Sequence, residues 1–219
     1  MFFLAGLVVP RKRRSGFRRP SSTSVLGLET GAHVRCKKRV GFYPTQEPHL
    51  RALAHALGTL PHNRVVCDPA CGPTRRIADL LRVFRPKRIL CFDANPVEEA
   101  VNLGDLTDAK WCYKTLGPAY TIVTSLPYGS STVKTTMLRN LVSLLHSDKC
   151  DTHCVAVKML SSYDSFRLDG RNEILKEVAL EVKLPPIKYP GFNKAFPWPE
   201  AWFVFLRHHT ALNARRVVR

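Results

Sequence analysis

Residues 64–93 read RVVCDPACGPTRRIADLLRVFRPKRILCFD, and this stretch decides the fold class. Residues 64–67 and 88–92 are short apolar runs that predict β-strands, and residues 77–84 between them have the periodicity of a helix. Pro86 marks the point at which the chain enters the second strand. A strand, a helix and a strand in this order predict a βαβ unit with a parallel sheet.

The same alternation continues toward the C-terminus. Residues 121–124 and 154–159 are further apolar runs with β-branched residues, and residues 132–145 between them predict a helix. Residues 178–184 and 201–206 predict two more strands, which would close the sheet as an antiparallel pair. We therefore expect an α/β fold with a mostly parallel, seven-stranded sheet and a C-terminal antiparallel strand pair.

Charge is concentrated near the N-terminus. The chain has 34 Lys and Arg residues against 17 Asp and Glu, a net charge of +17 that favours nucleic acid as a partner. We expect a basic, flexible extension over residues 1–40, one domain over 41–208 and a basic tail over 209–219. The extension is typical of a mitochondrial or nuclear targeting segment, and a basic arm that touches phosphates explains it equally well. An intracellular location follows from either reading.

Cysteine usage points to a reducing compartment. The seven cysteines are an odd number scattered through the predicted elements, which argues against a secreted disulfide framework. Cys150 and Cys154 lie near His146 and His153, but their spacing differs from common zinc modules, so we predict core thiols and no metal. No apolar stretch is long enough for a membrane span.

The turn that follows the first predicted strand is suited to a ligand. Asp68 ends the strand, and the small residues Ala70, Cys71 and Gly72 would let a ligand approach the backbone. Asp93 ends the next strand about twenty residues later, where a carboxylate can accept hydrogen bonds from both ribose hydroxyls of an adenosine-containing cofactor. A helix-capping role is the alternative for Asp93.

The turn also discriminates between cofactors. Pro73 and Thr74 occupy positions where a pyrophosphate would need glycines and a free helix N-terminus, so a cofactor without phosphates, such as S-adenosylmethionine, fits better. Gly104 and Asp105 follow at the distance where a third strand would end. The Asp105 carboxylate could accept a hydrogen bond from the adenine amine, with capping as the alternative.

Four motifs carry a family resemblance. They are Phe42-Tyr43-Pro44-Thr45, Asp68-Pro69-Ala70-Cys71-Gly72, Ser125-Leu126-Pro127-Tyr128 and the stretch from Phe196 to Phe205. In this order they resemble the γ-type N6-adenine DNA methyltransferases of phages and plasmids, over most of residues 41–206. The resemblance implies a Rossmann-like S-adenosylmethionine-dependent methyltransferase fold, with Phe42 and Thr45 contributing to the cofactor site.

The resemblance also assigns roles in the catalytic loop. The Ser125 side chain and the Leu126 carbonyl would accept the two hydrogens of the target amine, Pro127 would fix the loop, and Tyr128 would stack on a flipped base. Leu126 makes the loop similar to the Asn-Leu-Pro-Tyr loop of ribosomal RNA adenine dimethyltransferases, which favours RNA. Candidate phosphate contacts after the fifth strand are Lys158, Arg167 and Arg171.

The implied function is methylation of an exocyclic amine, adenine N6, in DNA or RNA. Two departures keep another function open, because Ser125 replaces an Asn or Asp and Thr74 replaces a glycine of the cofactor motif. The alternative is a catalytically inactive relative that binds RNA or serves in a ribonucleoprotein assembly, for example a mitochondrial ribosome. Methylation of a protein glutamine or of guanine N2 is a third reading, since those enzymes use related Pro-Tyr loops.

Overall fold

The computed structural model describes residues 45–58, 64–72, 75–82, 85–96, 101–127, 131–161, 171–189, 199–208 and 216–218. The helices of these residues are α1 (Glu47–Leu57), α2 (Arg76–Leu81), α3 (Ala109–Trp111), α4 (Ser131–Ser143) and α5 (Arg171–Lys176). A π-helix (Cys112–Leu116) continues α3, and a 3-10 helix (Leu144–His146) continues α4. The predicted extension over residues 1–40 lies outside this part of the chain. None of the described helices is long and apolar enough to cross a membrane.

The strands are β1 (Val65–Asp68), β2 (Arg88–Asp93), β3 (Asn102–Leu103), β4 (Thr121–Ser125), β5 (Cys154–Leu160), β6 (Leu180–Lys183), β7 (Glu200–Leu206) and β8 (Arg216–Val218). They form one sheet in the order β3-β2-β1-β4-β5-β7-β6-β8. The first five strands are parallel, and β7 runs antiparallel to both β5 and β6. The predicted fold class is therefore confirmed. The sheet has one strand more than expected, because β8 pairs with β6.

Both faces of the sheet are buried, as a sheet with crossover helices requires. Adjacent residues of β4 show this: Ile122 and Val123 are both fully buried, but they belong to two different apolar clusters. The cluster on the Ile122 face includes Leu138 and Leu141 of α4. The Val123 face is covered by α1 through Leu53.

Two residues explain the bounds of helix α1. Pro48 lies in its first turn, where the missing N–H is no loss, and Gly58 ends it with a φ of 71°. Two long-range hydrogen bonds then fasten the helix to the sheet. Trp202 Nε1 donates to the His49 carbonyl at 2.7 Å, and the His49 Nε2 lies 3.1 Å from the Pro185 carbonyl. Helix α1 is thus fixed to β7 and to the segment that follows β6.

A buried charged network lies between β5, β7 and the segment before β7. The Lys158 ammonium is fully buried, 3.0 Å from Glu200 Oε1, and it donates to the Tyr189 hydroxyl at 2.9 Å. That hydroxyl donates in turn to Glu200 Oε2 at 2.5 Å. Burial lowers the pKa of Lys158, and the adjacent Glu200 carboxylate opposes this shift. The Glu200 carboxylate therefore favours the charged form of the buried lysine.

Removing one partner of this network should be costly. Glu200→Gln leaves the Lys158 ammonium buried without a counter-charge, so we expect the free energy of unfolding to fall by about 3–5 kcal/mol in urea denaturation. The double variant Lys158→Met with Glu200→Gln should recover most of that loss. The matched control, Glu173→Gln, breaks an exposed pair with Lys176 and should cost less than about 1 kcal/mol. Equal costs for the two glutamate variants would contradict the role of the network.

Candidate functional site

The strand order creates a crevice at one edge of the sheet. Strand β1 has β2 and β3 on one side and β4 and β5 on the other, so the crossover connections from β1 and β4 leave in opposite directions. In open α/β sheets, ligands bind outside the carboxyl ends of the strands at such a switch point. Asp68, Asp93 and Ser125 end β1, β2 and β4, and Asp105 follows β3. The structure therefore brings four of the predicted site residues to one edge.

A hydrogen bond across the switch point joins β1 to β4. The Asp68 carboxyl group is fully buried, and its Oδ1 accepts from the Thr124 hydroxyl at 2.9 Å and from the Ala70 N–H at 3.3 Å. Its second oxygen is buried with no hydrogen-bond partner among the described residues. Asp68 thus fixes the turn that follows β1 to the strand that leads into the loop at Ser125.

Burial changes the protonation of Asp68. Loss of hydration raises the pKa of this carboxyl group to about 8, although the hydrogen bonds from Thr124 and Ala70 act in the opposite direction. At neutral pH the group is therefore mostly protonated. A neutral Asp68 can also donate a hydrogen bond, which a carboxylate cannot.

The turn at residues 70–72 is held by the end of β2. Gly72 has a φ of 63°, a conformation that favours glycine, and its N–H donates to Asp93 Oδ2 at 2.9 Å. Cys71 N–H donates to the Phe92 carbonyl at 3.0 Å, and Asn95 N–H donates to Asp93 Oδ1 at 2.8 Å. Each Asp93 oxygen has one further lone pair. The half-buried carboxylate therefore organises the turn and still has acceptor capacity.

A pair of thiols lies behind this turn. Cys71 and Cys91 are both buried in one small cluster of the core. The interaction with Cys71, followed by the nearby Arg75 guanidinium, lowers the pKa of Cys91, against the effect of burial. All six described cysteines are buried and free, as the sequence predicted for core thiols.

Asp105 begins a turn of its own beyond β3. Its exposed Oδ1 accepts from the Thr107 hydroxyl at 2.6 Å and from the Thr107 N–H at 2.8 Å, and both bonds lower its pKa. These bonds close a local turn and do not cap a helix: the residue that caps α3 is Asp108, whose Oδ1 accepts from the N–H groups of Lys110 and Trp111. Gly104 before Asp105 is packed against Trp111, whose ring atoms would lie 2.5 Å from an added Cβ. This contact fixes the position of the turn against α3.

The predicted catalytic loop begins in the core and ends at the surface. Ser125 is half-buried, the Leu126 side chain is buried with 3% exposure, and Pro127 is exposed. Leu126 belongs to the large apolar cluster around Ile122, which anchors the start of the loop. Tyr128 lies outside the described residues, so its stacking role stays a prediction.

The remaining predicted residues are distributed differently. Thr45 precedes α1, and its hydroxyl is buried with no partner in the described part of the chain. Phe42 and Arg167 lie outside the described residues, as does the side chain of Arg171. Lys158 is paired with Glu200 in the interior, so its placement does not support the predicted phosphate contact. A phosphate contact requires an exposed side chain, but Lys158 is buried because the Glu200 carboxylate on the adjacent strand β7 pairs with it.

Thr124 is the site residue that sequence reasoning missed. Its hydroxyl is fully buried, and its importance comes from a bond to a residue 56 positions away. A threonine in an apolar strand is ordinary for β-structure, so no local pattern separates it from its neighbours. The useful signal was its position directly before Ser125.

The edge as a whole presents hydrogen-bond acceptors. Asp93 and Asp105 are carboxylates, Ser125 supplies a hydroxyl, and Asp68 lies beneath them. Such a set suits a ligand rich in donors or carrying positive charge. Among the described residues there is no group of three or more His, Cys, Asp or Glu side chains that could hold a metal ion.

Comparisons with known proteins place this architecture among methyltransferase folds. No protein-family model matches the chain, and no curated protein matches it in sequence. A type I restriction-modification methyltransferase subunit from Streptococcus thermophilus is similar in structure, with a TM-score of 0.56 and 13% identity over 78% of this chain. The match covers 46% of that subunit, so this chain corresponds to about half of its length.

A candidate RNA methyltransferase from Pyrococcus horikoshii is also similar. Its TM-score is 0.52, with 17% identity over 74% of this chain and 80% of that protein. At these identities the likeness establishes a shared fold. The chain thus has the Rossmann-like fold of these methyltransferase structures.

The protonation of Asp68 leads to a stability prediction. Between the ordinary pKa of 3.8 and about 8, the unfolded chain has an ionised carboxylate while the folded chain keeps the proton. Unfolding then releases a proton, so this group makes the fold less stable as pH rises through that interval. Asp68→Asn removes the titration and keeps an acceptor for Thr124. The free energy of unfolding can be measured by urea denaturation at pH 5, 6.5 and 8. We expect the variant to gain stability relative to wild type as the pH rises. A difference in unfolding free energy that stays constant with pH would contradict a protonated Asp68.

Proposed function

We propose that this chain is an S-adenosylmethionine-dependent methyltransferase acting on an exocyclic amine, adenine N6, of nucleic acid. The observation that carries the proposal is the Asp68–Thr124 hydrogen bond at the switch point. This bond joins the turn at residues 70–72, which we propose binds the cofactor, to the strand that leads into Ser125, and in this fold class ligands bind at this edge.

The residues at this edge fit the proposed cofactor chemically. S-adenosylmethionine has ribose hydroxyl donors, an adenine amine, an ammonium group and a sulfonium centre, and the edge supplies acceptors. When bound, the cofactor supplies an electrophilic methyl group. Asp93 is placed to accept from the ribose hydroxyls with its remaining lone pairs, and Gly72 leaves the backbone of the turn open to close approach.

Asp68 supports the cofactor turn from beneath. Because its carboxyl group is buried and mostly protonated at neutral pH, it adds little charge to the site. Its unpartnered oxygen provides a polar group below the turn. We assign Asp68 a positioning role, since its side chain is fully buried and acts through Ala70 and Thr124.

The loop at Ser125 would orient the target amine. Transfer to an amine depends mainly on aiming its lone pair in line with the methyl group, so positioned acceptors contribute more than acid or base catalysis. Ser125 is half-buried at the end of β4 and the Leu126 side chain is anchored in the core, which restrains the hydroxyl and the neighbouring carbonyl. The assignment of adenine N6 rests on the resemblance of this loop.

Nucleic acid is proposed as the substrate because of the charge of +17 and the fold neighbours. One neighbour is a restriction-modification methyltransferase subunit and another is a candidate RNA methyltransferase. An intracellular site, mitochondrial or nuclear, agrees with the basic segment at residues 1–40. The second candidate function is a catalytically inactive RNA-binding or assembly protein, and it is favoured by the short Ser125 hydroxyl where the resembling families have a longer acceptor.

Cofactor binding can be tested before any substrate is known. Isothermal titration of S-adenosylmethionine into the full chain should show saturable binding. Asp93→Ala should weaken it about tenfold or more, because a hydrogen-bonded carboxylate contributes about 1.5–3 kcal/mol. The matched control Asp151→Ala removes an exposed carboxylate from the opposite edge of the sheet and should bind like wild type. Absence of binding by folded wild-type protein would remove the basis of the proposal.

Turnover separates the enzyme from the inactive relative. With tritiated S-adenosylmethionine and total RNA or DNA, Ser125→Ala should reduce methyl transfer about tenfold or more, because one acceptor of the target amine is lost. Ser125→Asn restores a longer acceptor and should keep or raise the wild-type rate. If wild type binds the cofactor and transfers no label to either nucleic acid, the inactive module becomes the better description.

A further inference from the structure

The amino edge of the sheet, opposite the candidate active site, is built as one continuous surface. Lys87 N–H donates to the Arg64 carbonyl at 3.0 Å, and Tyr120 N–H donates to the Val65 carbonyl at 3.0 Å. Arg207 N–H donates to the His153 carbonyl at 2.9 Å. The segments that enter β1, β2, β4 and β5 and leave β7 therefore lie against one another.

A groove opens on this edge between the end of the α3 segment and the segment before β5. It has a volume of about 610 Å³ and is lined by Ala109, Lys110, Tyr113, Lys114, Lys149 and Cys150. Asp151 N–H donates to the Gly117 carbonyl at 2.7 Å, which holds the two walls together. The Tyr113 side chain is 41% exposed, and among the large hydrophobic residues that are exposed in the described part of the chain it is the one aromatic.

The lysines of the groove differ from other exposed basic residues. Arg51, Arg82 and Lys176 each form an ion pair with an acid on their own helix. Lys110, Lys114 and Lys149 form no ion pair in the described part of the chain, although all three are exposed. Their positive charge is therefore available to an anion outside the fold.

A second aromatic platform lies along the same edge. The rings of Tyr120 and His153 stack with centroids 4.5 Å apart, and the Arg64 guanidinium lies 5.0 Å from the Tyr120 ring centre. Desolvation, followed by the charges of Arg207, His208 and Arg64, lowers the pKa of His153 and so favours its neutral ring.

The acids of this edge are few. Asp148 and Asp151 are exposed, and Glu177 is bonded to His146 at 2.6 Å. Asp108 is a further exposed acid beside the groove, and against these acids stand the three groove lysines together with Arg64, Lys87 and Arg88, all exposed. The net charge of the edge is therefore positive.

We propose that this amino edge, centred on the groove of Lys110, Tyr113, Lys114 and Lys149, is a binding surface for single-stranded nucleic acid. Unpaired ammonium groups flanking an exposed aromatic ring suit phosphates on either side of a stacked base, and this combination binds single strands with little sequence preference. The surface lies across the length of β4 from Ser125, and five residues of strand span about 15 Å. The surface would therefore bind a part of the nucleic acid that is distant from the reacting base. The inference does not depend on turnover at the proposed active site.

The test uses fluorescence anisotropy of a labelled 20-nucleotide single-stranded RNA with the full chain. The groove variant Lys110→Gln, Lys114→Gln, Lys149→Gln should bind about tenfold or more weakly near physiological salt. The dependence of log affinity on log salt should become shallower by about 2, because each lost phosphate contact removes about 0.7. Tyr113→Ala should weaken binding about fivefold or more, and Tyr113→Phe should restore it, because stacking needs only the ring.

The matched control removes the same charge elsewhere. Arg51→Gln, Arg82→Gln, Lys183→Gln lowers the net charge by an equal amount at exposed residues of α1, of the α2 C-cap and of β6, away from the groove, and it should bind within about threefold of wild type. Equal weakening in the groove and control variants would overturn the inference, because it would show a nonspecific effect of net charge. Unchanged binding in the groove variant would overturn it as well. Unlabelled single-stranded DNA and unlabelled duplex RNA serve as competitors of the labelled RNA. Tighter binding of the duplex than of the single-stranded RNA would contradict a single-strand surface.

Failure here and failure of the proposed function are distinguishable. The groove variant should bind S-adenosylmethionine in calorimetry like wild type, because none of its substitutions is at a residue of the proposed cofactor site. Loss of RNA binding with retained cofactor binding supports the groove. If RNA binding by the wild type depends on the groove lysines but no methyl transfer is detected, the proposed activity is contradicted and this inference is still supported.

Discussion

The hydrogen bond between the buried Asp68 carboxyl group and the Thr124 hydroxyl is the contact on which the candidate site depends. It spans the switch point between β1 and β4, where the sheet leaves room for a ligand. The same carboxyl group accepts from the Ala70 N–H, and Ser125 directly follows Thr124. The Asp68 side chain thus holds together the turn at Ala70 and the loop that begins at Ser125, which are far apart in the sequence. Burial of the same side chain raises its pKa and favours the protonated form.

Sequence patterns predicted the order of the elements because each is defined locally. The strands at β1, β2, β4, β5 and β7 were found within one or two residues, and Asp68, Asp93 and Ser125 met at one edge because parallel strands share a direction. Interactions between distant residues were beyond such patterns. Lys158 was expected at the surface, but it forms an ion pair in the interior with Glu200, two residues along the adjacent strand β7. β8 was missed because three residues carry no periodicity.

The two edges of the sheet have opposite electrostatic character. The Asp93 and Asp105 carboxylates lie at the carboxyl edge, where Asp68 is mostly protonated, whereas exposed lysines and arginines lie near the amino ends of the strands. A cationic cofactor and an anionic polymer would then be attracted to different edges of one small domain. Under the proposed function, this separation would let nucleic acid bind one edge of the sheet while the cofactor binds the other.

The lengths of the strands vary systematically across the sheet. The longest strands, β5 and β7, are adjacent in the interior, while the outermost described strands are β3, with two residues, and β8, with three. A sheet edge offers unpaired backbone groups to other chains, and very short edge strands give such a chain little to pair with. The apolar central strands are therefore shielded from intermolecular β-pairing, a property that matters for a protein whose interior strands would otherwise be prone to aggregate.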